Sequence, residues 1–159
     1  MKEDTKEIMK KETPDLTKNS TDYDIALTLY NMFKDKYIWV PLDKKWYMFD
    51  GNIWRESPKA CDLRNNINNE LFDYITDLIK EYRDKWKEED NDEVRFTYSK
   101  KITNLNKLSH KIHQNNSKNK IISECALLFL KSSSELLNNG VYEKGGGGIF
   151  RKATSKRHD

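Results

Sequence analysis

Four consecutive glycines, Gly145 to Gly148, are the first pattern in this 159-residue chain that suggests chemistry. Glycine runs can cradle phosphate because their backbone N–H groups converge on it. A nucleotide-hydrolysing loop also needs Gly, four residues, then Gly-Lys-Ser/Thr, so that an amine and a hydroxyl reach phosphate and magnesium. Here Ile149-Phe150-Arg151-Lys152-Ala153-Thr154 follows, and Gly-Lys-Ser/Thr occurs nowhere. The run reads as a linker. His110 and His113 stand three apart and could share a helix face, with Cys125 as a third metal ligand. No acid or second cysteine stands at ligand spacing beside them. They read instead as polar groups on a basic face, where histidine can also touch phosphate. Gly-x-Ser-x-Gly, His-Glu-x-x-His and Gly-x-Gly-x-x-Gly are absent, so no nucleophile–base pair or zinc motif announces itself. The expectation is a chain with no catalytic residues, no metal and no cofactor, and hence not an enzyme on its own.

Cations make the stronger pattern. Residues 97–131 carry seven lysines and one glutamate. On a helix, Lys100, Lys107 and Lys111 fall near one face, with Lys101 to the side and Asn104 and His110 bordering it. Lys118 and Lys120 extend the set, and Arg151 and Lys152 offer a second contact from the C-terminal segment. Such a face can lie along a phosphate backbone and bind it without regard to sequence, in a salt-sensitive way. It can equally be a solvated lysine face. The total charge hides this layout: 29 Lys+Arg against 26 Asp+Glu give a net +3. Residues 77–93 hold eight acids and four bases, so an acidic segment directly precedes the basic one.

The elements that must position these groups are legible from periodicity. Residues 1–20 lack it and read as a flexible arm. Thr21 and Asp24 have capping-box spacing, and a helix should follow from about Asp22 to Lys34, burying Ile25, Leu29 and Phe33. Tyr37–Val40, Trp46–Phe49 and Ile53–Arg55 are short β-branched or aromatic runs separated by turn signals, an antiparallel meander. Strand alternation would put Trp46, Met48 and Trp54 on shared faces, subject to the turn. The tryptophans are either the core of this meander or a surface on which bases stack. Leu63, Ile67, Leu71, Ile75, Leu78 and Tyr82 mark a long helix from Cys61 to about Glu89. Further helices should span about Thr97 to Gln114 and Ser117 to Lys131, broken at Asn115-Asn116-Ser117. The fold class is therefore α+β: an N-terminal helix, a small three-stranded antiparallel meander, then a helical bundle. The domain should run from 21 to 139, with 140–159 a Gly-run basic tail. Two cysteines cannot build a disulfide framework, the N-terminus has no apolar signal segment, and no run approaches the length of a membrane span. The expected setting is intracellular, without a membrane partner.

The segment Thr21 to Arg55, and above all KKWYMFDGNIWRES, resembles a known family. Its pattern is a short helix, a strand, then a Trp-Tyr-x-Phe-Asx-Gly-x-x-Trp hairpin, matched here by Trp46, Tyr47, Phe49, Asp50, Gly51 and Trp54. The later helices LRNNINNELFDYI and NKIISECALLFL fit the same plan, so the resemblance covers about Thr21 to Leu130. The family is the accessory domain that precedes the superfamily-3 helicase in poxvirus-type, giant-virus and phage or plasmid primase–helicases. The resemblance implies a non-catalytic domain of a viral or mobile-element DNA replication protein. Its partners would be single- or double-stranded DNA, bound without sequence preference, and a replicative helicase or further copies of itself. In a virus the place would be the host cytoplasm, in a viral factory, or the nucleus. It transfers no catalytic residue, and the six hairpin residues carry over as structural. The chain departs from the family plan where the Gly run and basic segment stand in place of helicase Walker motifs. The alternative is a structural or protein-interaction module, such as a virion or assembly factor, with no DNA role.

Overall fold

The computed structural model describes residues 13–131, together with the backbone of Tyr142–Lys144 and Phe150–Lys152. It is an α+β fold. Helix α1 (Asp22–Phe33) is opened by Thr21, whose side chain accepts from the Asp24 amide while the Asp24 carboxylate accepts from the Thr21 amide. Ile25, Ala26 and Leu29 are fully buried on its inner face. The meander follows as β1 (Tyr37–Val40), β2 (Lys45–Phe49) and β3 (Ile53–Glu56), antiparallel throughout. A 3-10 turn (Pro58–Ala60) leads into α2 (Cys61–Asn66), a π-helical turn (Ile67–Leu71) and α3 (Phe72–Glu88). Helices α4 (Asp92–Lys111) and α5 (Asn115–Leu128) complete the bundle.

Helices α3 and α4 form a hairpin and α1 packs on α5. The Asn91 side chain turns the hairpin by accepting from the Glu93 and Val94 amides at 2.9 and 3.1 Å, which satisfies two of the free donors at a helix start. The main core joins Leu63, Ile67, Leu71 and Ile75 to Leu105, Ile112, Ile121, Cys125 and Phe129. Each fully buried Leu or Ile contributes about 1.5–3 kcal/mol. Burial ends at Ile79 on α3 and begins at Leu105 on α4, so the far half of the hairpin carries no fully buried residue.

The two sheet faces bury different sets. Tyr37, Trp39, Trp46 and Met48 belong to the helix-side core, whereas Ile38, Val40, Tyr47, Phe49 and Trp54 form a second cluster. Trp54 thus does not share a face with Trp46 and Met48. The two-residue loop pairs Phe49 with Trp54, and that register sets Trp54 beside Phe49.

Four further expectations change. Thr13 to Ser20 are not an arm: Leu16 and Thr17 are buried, and the Asn104 side chain donates to the Thr17 carbonyl at 2.9 Å. Residues 1–12 of that expected arm lie outside the described residues. The long helix from Cys61 is interrupted by the π-helical turn. The break expected at Asn115–Ser117 falls instead at Ile112–Gln114, and Asn115 starts α5. The C-terminal segment, expected as a tail, contributes β4 (Tyr142–Lys144) and β5 (Phe150–Lys152), which extend the sheet in the order β1-β2-β3-β5-β4. The Gly run lies outside the described residues. Beyond α5 the chain returns to the sheet: the Trp39 amide donates to the Phe129 carbonyl and the Lys131 amide to the Trp39 carbonyl, both at 2.9 Å.

Candidate nucleic-acid interface

Helix α4 presents the expected lysines unequally. Lys100 and Lys107 are exposed, and the Lys100 ammonium lies 5.4 Å from the Phe96 ring centre. Lys101 is half-buried over Tyr82 at 4.9 Å. Its charge also reaches Asp15: burial raises the carboxyl's pKa, but the Thr17 hydroxyl and amide and the Lys101 charge together hold it below its usual value. Lys111 pairs with Asp22 at 3.0 Å. That pair fixes α4 to the start of α1 and compensates one cation of the row. On α5, Lys120 is exposed, but Lys118 is 8% exposed and cannot lie along a phosphate backbone. It stands three, four and seven residues before buried Ile121, Ile122 and Cys125, so it lies on the inner stripe of α5. Arg151 lies opposite Ile53 and Glu143, and Lys152 opposite Tyr142, in the extended sheet.

A cation that was not expected joins the row. Lys18, from the segment read as an arm, lines a cleft of about 130 Å³ with Asn19, Ser20, Asn104, Lys107 and Lys111. The exposed set on this side is therefore Lys18, Lys100 and Lys107, with neutral donors between them.

A larger cavity, about 580 Å³, lies between the meander and α5. Trp39 and Trp46 form one wall, with ring centres 5.6 Å apart and planes at 52°. Lys44, Lys45, Lys59 and Arg64 also line it. Lys45 pairs with Glu56 at 3.1 Å. Arg64 is held by neutral acceptors, its Nε donating to the Lys59 carbonyl at 2.9 Å and its Nη2 to the Asn119 side chain at 2.6 Å. Lys44, Lys59 and Ala60 have left-handed backbone, φ 52°, 54° and 56°, a conformation that costs non-glycine residues energy.

Within the hairpin, hydrogen bonds and backbone geometry shape the turn. Asp50 accepts from the Asn52 and Ile53 amides, both at 2.9 Å, and from Arg55 Nε at 2.8 Å. Those bonds, led by the Ile53 amide, lower its pKa to about 2. Gly51 has φ 100°, at the first central position of a two-residue loop, where only glycine turns freely. Tyr47 donates to Asp43 at 3.1 Å, and burial with that bond pushes its hydroxyl up to about 12. Tyr37, buried under the helices, donates to Asn66, which donates to Glu70 at 3.0 Å. Burial first, then the Asp62 and Glu70 charges, raises the Tyr37 pKa.

The His113 ring lies beside that of Phe72, with centres 4.9 Å apart and planes tilted at 54°, and His110 is exposed. Cys125 is fully buried, and burial pushes its thiol up. Among the described residues no three His, Cys, Asp or Glu gather where they could hold a metal. No described helix is long and apolar enough to cross a membrane.

Compared with known proteins, the chain matches no family model, and no curated protein matches it. The features that sequence reasoning missed, Lys18 and the Lys44–Lys59–Arg64 group, carry no period. Each is a single cation whose neighbours are set by tertiary packing.

Proposed function

We propose that this chain is a non-catalytic DNA-binding domain that works beside a replicative helicase of a virus or mobile element. One observation carries the DNA reading: Lys107 of α4 and Lys18 of the N-terminal segment meet at one cleft, with exposed Lys100 two turns up the helix. Cations from two separate segments gathered on one side, spaced by Asn and Ser, suit a phosphate backbone. The helicase context rests on the resemblance of the Trp46–Trp54 hairpin. Arg151 and Lys152 belong to the same reading as a second contact.

Titrating labelled single- and double-stranded DNA across a salt series tests it. The wild type should bind both at low salt, with log affinity falling linearly in log salt. Lys100→Glu with Lys107→Glu should weaken binding and reduce the slope by about 2. No binding at low salt would sink the proposal; an unchanged slope would remove this face from it. Lys111 is a poorer probe, because its ion pair with Asp22 makes its loss structural.

A second reading, a protein-interaction module, is favoured by the tip of the α3–α4 hairpin. Trp86 and Phe96 are 37% and 63% exposed there, and Arg95 lies 3.9 Å over the Trp86 ring. Trp86→Ala with Phe96→Ala would leave DNA affinity intact and abolish self-association or helicase capture if that reading holds.

A further inference from the structure

The cavity between the meander and α5 uses none of the α4 lysines. Its volume, about 580 Å³, falls in the range of small-molecule sites. Three properties limit what it can hold. The first is an aromatic wall. Trp39 is only half-buried although its strand neighbours Ile38 and Val40 are buried, so part of an indole is left open at the cavity. An exposed indole face attracts flat, polarisable rings.

The second property is uncompensated positive charge. Of the four lining cations, Lys45 is matched by Glu56. Lys44, Lys59 and Arg64 form no ion pair among the described residues. The Arg64 guanidinium is oriented by two neutral oxygens, one of backbone and one of Asn119, so its position is fixed while its charge remains. A planar guanidinium held in this way can donate to two oxygens of a phosphate at once.

The third is backbone geometry. Lys44 and Lys59 are both non-glycine residues in the left-handed region, and both border the cavity from separate turns. Side chains there depart in directions that ordinary turn conformations do not give, and the strain is retained by the surrounding structure.

An aromatic wall beside fixed, unpaired cations matches one chemical class. We propose that this cavity binds a single nucleotide unit, with the base against Trp39 and the phosphate held by Lys44, Lys59 and Arg64. The unit is either a free mononucleotide or one unpaired residue of a single strand. A duplex cannot supply it, since its bases are stacked and paired. The site is separate from the α4 lysine row, so the two can fail independently.

Intrinsic tryptophan fluorescence of the full chain reads the site. The probes are dTMP, a twelve-residue oligo-dT and a blunt duplex at low salt. Oligo-dT, dTMP or both should quench the emission, and the duplex should quench it weakly. Quenching by oligo-dT alone identifies a strand residue; quenching by dTMP that saturates with its concentration identifies the free nucleotide. Both outcomes support the site. Lys44→Glu with Lys59→Glu changes two exposed side chains and should weaken the quenching ligand at least tenfold. Trp39→Phe should remove most of the quenching signal while retaining an aromatic wall. Lys100→Glu with Lys107→Glu should leave dTMP quenching unchanged. The proposal is overturned if neither dTMP nor oligo-dT quenches. It is also overturned if quenching survives Lys44→Glu with Lys59→Glu but disappears with Lys100→Glu and Lys107→Glu, a result that would leave the α4 face as the DNA contact.

Discussion

Asn66 shows how much one buried polar residue decides. Its side chain takes the Tyr37 hydroxyl on one side and gives a hydrogen bond to Glu70 on the other, at 6% exposure. Tyr37→Phe removes the donor and leaves a buried acceptor unsatisfied. The expected cost is about 1–3 kcal/mol, read by urea unfolding. The same tyrosine and Tyr47 set an alkaline limit. Both folded-state pKa values are raised above the ordinary 10.0, that of Tyr47 to about 12. Their stabilising effect is complete below the unfolded value and is lost as pH rises through the folded one. Stability should therefore fall between about pH 10 and 12, and Tyr47→Phe should flatten that fall. Neither effect was readable from sequence. Periodicity gave Tyr37 and Tyr47 as strand residues, but the partner of Tyr37 lies on another element, and only packing brings it there. Lys118 is the opposite case: its residue type suggests solvent, and its place on α5 buries it.

Elements were more legible than their contacts. Helix α1 followed from a cap and a period of 3.6, and the structure places the Thr21–Asp24 box as the spacing implies. Thr21→Ala should cost about 1 kcal/mol, measurable as a lower thermal midpoint. The β2–β3 turn was legible from Asp50-Gly51-Asn52. The face of Trp54 was not, because a two-residue loop and a three-residue loop put it on opposite sides. Gly51→Val should destabilise by about 1 kcal/mol or more. The φ of 100° is the cause, since the space around the position is open. The same fall should appear in urea unfolding with an unchanged denaturant slope. The π-helical turn left no trace in the hydrophobic stripe, since Ile67 and Leu71 stay on the buried side through it.

At the scale of the molecule, the bipolar charge seen along the sequence becomes a spatial arrangement. The acidic stretch falls at the end of α3 and the start of α4, in the half of the hairpin beyond the core; the basic stretch runs back along α4 toward it. The segment 13–20 closes that core, because Leu16 is 1% exposed within it. A lone leucine between polar residues has no period to betray it, so the arm reading failed for lack of a signal. Leu16→Ala should cost about 2–5 kcal/mol in denaturant unfolding. The return of the chain to Trp39 after α5 has a mechanical consequence. Two backbone bonds clip Phe129 and Lys131 to the residue that walls the larger cavity. Tension on the polypeptide beyond Lys131 would be delivered to the Trp39 backbone before it reached any helix.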